Sequence, residues 1–186
     1  DRLLRAREQL RESVPPSGAT SIDRVGSVEF ESIGYSYDGD SAALSEFGFR
    51  VAAGESVGII GPSGSGKSTL IQLLLRLRHA QEGRYLIDGT DARDIEDEAW
   101  FSLISFVPQD CRVFDDTIAA NIRFFRPDVT DEQVETAARR AHVHDEIIAM
   151  PDGYQTVLGS RGGALSGGQR QRIAIARALV RTPSML

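Results

Sequence analysis

"GPSGSGKST" occupies residues 61–69 and fits the pattern G-x-x-x-x-G-K-[ST] in full, with Gly61, Gly66, Lys67 and Ser68 at its fixed positions. Its flanks decide what it means. Before it stands "SVGII" (56–60), an apolar, β-branched run that predicts a short buried strand. After it stands "STLIQLLLRLR" (68–78), which predicts an apolar helix. A glycine-rich turn between strand and helix lets backbone N–H groups curl around phosphate oxygens. The helix directs its positive end at the same anion. Gly61, Ser63, Gly64, Gly66, Lys67, Ser68 and Thr69 are therefore the expected phosphate-binding residues. Lys67 is placed to reach the β- and γ-phosphates, and the Ser68 hydroxyl suits Mg²⁺. The loop therefore reads as a nucleotide binder that uses Mg²⁺, of a kind that the loop alone does not choose, since kinases, GTPases and motors share it.

Composition sharpens this reading. Of the 21 basic residues, Lys67 is the single lysine, and all the others are arginine. Where any positive charge would do, this chain uses Arg. A position that keeps Lys reads as one needing a compact ammonium that a planar guanidinium cannot replace.

The rest of the composition excludes more than it assigns. A net charge of −6 argues against a nucleic-acid surface, which wants a basic face. No apolar run approaches the roughly 18 residues that read as a membrane span, and no signal peptide is visible. Cys111 is the lone cysteine, so no internal disulfide forms. The start at Asp1 rather than Met reads as a piece of something longer.

Outward from the loop, "DRLLRAREQLRES" (1–13) predicts a charged helix, and "VPPSGATSIDRVG" (14–26) a linker broken by Pro15 and Pro16. Strands are expected at 27–37, 45–55, 83–89 and 104–108, with a short helix at 94–103. From Asp116 the pattern turns helical, with Thr130 as an N-cap and acids in the first turn after it. "SGGQRQRIAIARALV" (166–180) opens on glycines and becomes a long helix.

"LSGGQRQRIAIARAL" (165–179) is the second informative stretch. Ser166, Gly167, Gly168 and Gln169 form another small-residue helix start suited to an anion, or else a plain N-cap at Ser166. One triphosphate rarely needs two such sites. A symmetric dimer would use both, each subunit offering this motif to the nucleotide on the other's loop.

With both motifs in this order, the chain resembles the nucleotide-binding domain of the ATP-binding-cassette (ABC) family, from about Ser27 to its end. The resemblance makes 61–69 the Walker A loop and 165–169 the signature motif. It makes Tyr37 the aromatic that stacks on adenine, and Gln109 in "FVPQD" the Q-loop glutamine. Gln109 is then a Mg²⁺ ligand with Ser68, and a sensor of the γ-phosphate. The fold implied is α/β: a P-loop NTPase core of mixed sheet and helices, an antiparallel β region and an inserted α-helical subdomain. The C-terminal part of the core is expected to be absent. The domains expected are 1–26, helix and linker from a membrane domain; 27–110, the ATP-binding core; 111–164, the helical subdomain; and 165–186, the signature and its helix.

"DDTIAANIRF" (115–124) and the stretch 151–179 resemble exporter-type cassettes fused behind a membrane domain. The implied partners are a second nucleotide-binding domain, packed head to tail, and an N-terminally fused transmembrane domain. The implied place is the cytoplasmic face of a membrane, and no nucleic acid is expected. Ser160 stands near where such cassettes carry an acid, which puts coupling at that point in question. Two alternatives compete: a soluble ABC ATPase in a non-transport process, and a nucleotide-binding fragment without catalysis.

The family's Walker B strand, its catalytic Glu and its switch His would follow Leu186, and Met185–Leu186 would begin that strand. Every Asp and Glu after Lys67 precedes the signature. The 186 residues alone are therefore expected to lack ATPase activity and to fold poorly. Three smaller features read as structural. His142 and His144 in "HVHDE" lie two apart, which does not put them on one helix face. "DARDIEDE" (91–98) reads as a solvated charge run, and Cys111 as a structural thiol.

Overall fold

Residues 27–36 begin as a regular alternation, with Val28 and Phe30 buried and their neighbours less so. The alternation then skips. Ser32 takes a left-handed conformation (φ 48°), and the pairing registers shift between Phe30 and Ile33. This bulge moves the inward face from even-numbered to odd-numbered residues, so Ile33 and Tyr35 are buried instead. The strand is β1 (Ser27–Ser36).

The computed structural model describes residues 18–37, 42–159 and 165–186. They divide into two units, one reaching to Phe101 and the other running from Ser102 to Leu186. The expected N-terminal helix (1–13), the Pro-Pro part of the linker and Ser160 lie outside the described residues.

In the first unit, β1 lies between β2 (Ala42–Ala52) and β3 (Glu82–Ile87), antiparallel to both. The short β4 (Thr90–Asp91) pairs antiparallel with β3, giving the order β2-β1-β3-β4. The Phe30 ring meets Tyr85 and Phe49 edge-on, with centroids 4.5 and 5.1 Å apart. Trp100, on helix α2 (Asp97–Leu103), closes the cluster against Tyr85 at 6.2 Å. Ile33, Ile87 and Ile95 are wholly buried with it. Each such side chain contributes about 1.5–3 kcal/mol by leaving water.

Helix α1 (Lys67–Leu74) adds Leu70 and Leu73 to this core. It stops four residues before the apolar pattern does. Arg76 is left-handed (φ 55°), and its nearly buried guanidinium pairs with Asp97 at 2.7 Å. That turn ends the helix, while Leu77 stays exposed.

The second unit is helical: α3 (Ile118–Arg123), α4 (Asp131–Arg140), α5 (His144–Ile148) and α6 (Gly167–Leu179). Ile118, Ile122, Val134, Ile147, Leu158 and Ile173 form its core. The expected cap at Thr130 is present as a full capping box, in which Thr130 Oγ1 accepts from Gln133 N and Gln133 Oε1 accepts from Thr130 N. Arg177 latches α6 to α3. Its guanidinium donates to Asn121 O (2.9 Å), Asn121 Oδ1 (3.1 Å) and Arg112 O (3.0 Å), and sits over the rings of Phe114 and Phe124.

Two expected strands differ. Residues 56–60 are irregular and exposed, with Ile60 94% accessible. A strand needs a ladder, and among the described residues nothing pairs with this run. Of 104–108, Ile104 alone is bridged. It pairs in parallel with Met185, with Ser105 N donating to Met185 O at 2.9 Å. This is an isolated bridge and makes no strand of 104–108.

Candidate functional site

The glycine loop leaves a helix start open. Gly66, the N-cap of α1, is left-handed (φ 83°), offers no side-chain cap, and no acid follows in the first turn. The first N–H groups of α1 therefore have neither the cap oxygen nor the carboxylate that usually satisfies them. Gly66 is required twice over. Its backbone is unfavourable for other residues, and a Cβ there would stand 2.5 Å from Ala43 O.

Lys67 turns back along the loop. Its Nζ donates to Gly61 O (2.8 Å), Pro62 O (2.7 Å) and Ser65 Oγ (3.4 Å). These neutral acceptors fix the ammonium without cancelling its charge. Ser63 and Gly64 are exposed on the turn, and Ser68, the second residue of α1, is exposed beside it. Thr69 is buried and bonded to Tyr37, its Oγ1 lying 3.1 Å from Tyr37 Oη. So Thr69 faces the tyrosine, and Tyr37 itself is 48% exposed rather than a core strand residue.

In the second unit, Ser166 caps α6 in a second capping box. Ser166 Oγ accepts from Gln169 N (3.1 Å), and Gln169 Oε1 accepts from Ser166 N (2.8 Å). The plain N-cap reading of Ser166 is thus realised, yet its hydroxyl proton remains free to be donated. Gly167 and Gly168 are exposed beside it. Gln109 is exposed on a bend, beyond the short bridge at Ile104 instead of at a strand end. Cys111 Sγ donates to Pro108 O at 3.1 Å, next to that bend.

Two groups at these sites escaped the sequence reading. Arg78 and Gln72 surround Tyr37, hidden in what reads as the tail of an apolar helix. Glu146 accepts from Gln169 Nε2 at 2.9 Å and pairs with Arg172. It sits in the "HVHDE" run, whose histidines drew attention instead. His144 is buried, its Nδ1 2.9 Å from Tyr154 Oη.

Residues 44–186 match the family model described as "ABC transporter". The mitochondrial iron-sulfur clusters transporter atm1 of Aspergillus fumigatus is 44% identical over 172 residues, covering 92% of this chain and 24% of that protein. A multidrug efflux ATP-binding/permease protein of Mycobacterium bovis is 45% identical over 166 residues, covering 89% of this chain and 14% of that protein. The chain thus spans a quarter or less of these two curated relatives. A solved bacterial Atm1-family ABC exporter with ATP bound superposes with a TM-score of 0.82 at 41% identity, over 97% of this chain and 33% of that one. The mixed α/β architecture is therefore that of the matching part of an ABC exporter. The chain belongs to the ABC transporter family.

Proposed function

We propose that this chain is the nucleotide-binding domain of an ABC exporter, binding Mg-ATP and, in the full-length protein, hydrolysing it to drive transport across a membrane. One observation carries the reading. The chain's single lysine is held by loop carbonyls beside a helix start that has neither cap nor acid. A charged ammonium and unsatisfied N–H groups together make an anion site, and the triphosphate is the anion of the right size.

Other residues follow from that placement. The base stacks on Tyr37, whose ring is half exposed at the α1 edge. Ser68 would supply a neutral oxygen donor to Mg²⁺, and the resemblance to the family gives Gln109 the same role. Among the described residues no cluster of three acids, histidines or cysteines is placed for a metal. Neutral oxygen donors suit Mg²⁺, a hard cation that keeps phosphate and water ligands. Bound there, Mg²⁺ neutralises charge on the phosphates. Ser166, Gly167, Gly168 and Gln169 act on nucleotide held by a second cassette, in a head-to-tail dimer. The transmembrane partner precedes residues 1–26 in the same polypeptide, and the domain faces the cytoplasm.

The test uses the full-length protein and its Ser166→Arg variant. Binding of a fluorescent ATP analogue to each cassette should survive the substitution, while hydrolysis falls at least about tenfold, the scale of one lost transition-state contact. Equal loss of binding and turnover would place the signature in its own subunit's site. No Mg-ATP binding by the unsubstituted protein would remove the reading altogether.

A further inference from the structure

The side chains around Tyr37 form a closed set. Its phenol proton goes to Gln72 Oε1 at 3.3 Å, so the 3.1 Å contact with Thr69 is donated by the threonine. Gln72 Oε1 also accepts from Arg78 Nε at 2.6 Å. Arg78 Nη1 donates onward to Tyr35 Oη at 2.7 Å. The guanidinium carbon lies over the Tyr37 ring, 4.7 Å from its centroid, and 5.7 Å from that of Tyr35. The two tyrosine rings meet edge-to-face at 5.2 Å.

Each contact removes one freedom of the Tyr37 ring. The bonds to Thr69 and Gln72 fix its hydroxyl end against α1. The Tyr35 contact limits its swing, and the stacked cation limits its rotation. Without these contacts a half-exposed tyrosine just beyond a strand end would sample several rotamers. A stacked base would then have to order the ring as it bound, and that entropy would be subtracted from affinity.

We infer that Arg78 is a positioning residue for the nucleotide base, holding the Tyr37 ring ready for a purine on its remaining exposed surface. This rests on the proposal that Tyr37 stacks on adenine. Arg fits because the task is forked. Nε reaches Gln72 while Nη1 reaches Tyr35 and the plane lies over the ring, which a lysine ammonium does not reproduce. The partners of Arg78 are Gln72 and the two tyrosines, none of them in the glycine loop. Its effect should therefore depend on the ligand carrying a base.

The experiment measures affinities of full-length protein for ATP and for inorganic tripolyphosphate, which has no base. Arg78→Ala should weaken ATP about fivefold, the scale of one cation–π contact, and leave tripolyphosphate unchanged. Arg78→Lys should fall nearer to Ala than to Arg. Tyr37→Ala should weaken ATP by about 10-fold or more, the scale of one stacked base. Adding Arg78→Ala to it should cost nothing further, because the ring it positions is gone. Arg78→Gln gives the same comparison should the alanine variant not accumulate. Tighter ATP binding by Arg78→Ala would mean that the guanidinium occupies the base's own place, and would overturn the inference. So would equal loss for ATP and tripolyphosphate, or losses that multiply in the double variant. If Tyr37→Ala weakens ATP and Arg78→Ala does not, the inference about Arg78 fails while the base reading stands. If Tyr37→Ala leaves ATP affinity unchanged, the base reading falls and takes this one with it.

Discussion

Glu146 holds Gln169. The carboxylate on α5 accepts from Gln169 Nε2 at 2.9 Å while also pairing with Arg172, one turn along α6. Gln169 closes the capping box with its other amide atom, so its whole side chain is committed to holding the signature turn in place. Glu146→Ala frees that amide and leaves Arg172, whose Nε already lacks a partner, without its acid. Turnover of the full-length protein should fall about tenfold or more, the scale of one charge-assisted hydrogen bond. ATP binding to each cassette should stay unchanged, and Glu146→Gln should lie between. Steady-state kinetics beside equilibrium binding make the comparison.

Lys67 offers a chemical test that needs no activity. An amine-reactive label should modify one side chain, plus the N-terminus, because the chain holds no other lysine. Mg-ATP should slow that modification. Lys67→Arg keeps the charge but replaces a compact donor with a fork that does not fit the three acceptors on the loop. ATP affinity should drop about tenfold or more, as for a lost charge-assisted hydrogen bond. A labelling rate indifferent to ATP would contradict the assignment.

Asn121 should be a stability position. Its buried amide accepts from Phe114 N (2.8 Å) and Arg177, and donates to the carbonyls of Phe114 (3.1 Å) and Thr117 (3.0 Å). Asn121→Ala leaves the Phe114 N–H without its acceptor and loosens the Arg177 latch. The expected loss is about 2–3 kcal/mol, read as a lower urea midpoint. Nucleotide affinity at the glycine loop should not change.

Tyr154 sets an alkaline limit. Burial, with Glu135 nearby as a lesser cause, pushes its phenol from an ordinary 10.0 up to about 12. Between those values the unfolded chain has lost this proton while the folded one keeps it. Stability therefore falls as pH rises from about 10 to about 12, and is unaffected below. Tyr154→Phe should remove that component of alkaline unfolding, monitored by circular dichroism, and should also lose the bond to His144.

Local signals were the most legible. The caps at Thr130 and Ser166 were readable because a capping box is written within four consecutive residues. The glycine loop was readable for the same reason. The strand at 56–60 was not, because an apolar run states what could pair but not what does. The shortened α1 was hidden because its end depends on Arg76 meeting Asp97, 21 positions away in sequence. Glu146 and Arg78 were missed for a related reason. Each matters through a side chain distant along the chain, and charge alone does not say which partner it will find.

The bulge in β1 gives the segment between Phe30 and Tyr37 a parity. Seven steps separate these residues, an odd number, yet Phe30 packs into the core and Tyr37 reaches the same side of the sheet to bond Thr69 and Gln72 on α1. The extra residue at Ser32 is what lets an odd count end on the same side. Deleting one residue at Ser32 would restore an unbroken alternation for the shortened strand while shortening its reach toward α1. Inserting one residue would carry Tyr37 to the opposite face. Inserting two would keep the face and lengthen the reach. Tyr37 is thus brought to the core side by the bulge at Ser32, the left-handed residue of β1, and insertions here act as frame shifts of the sheet.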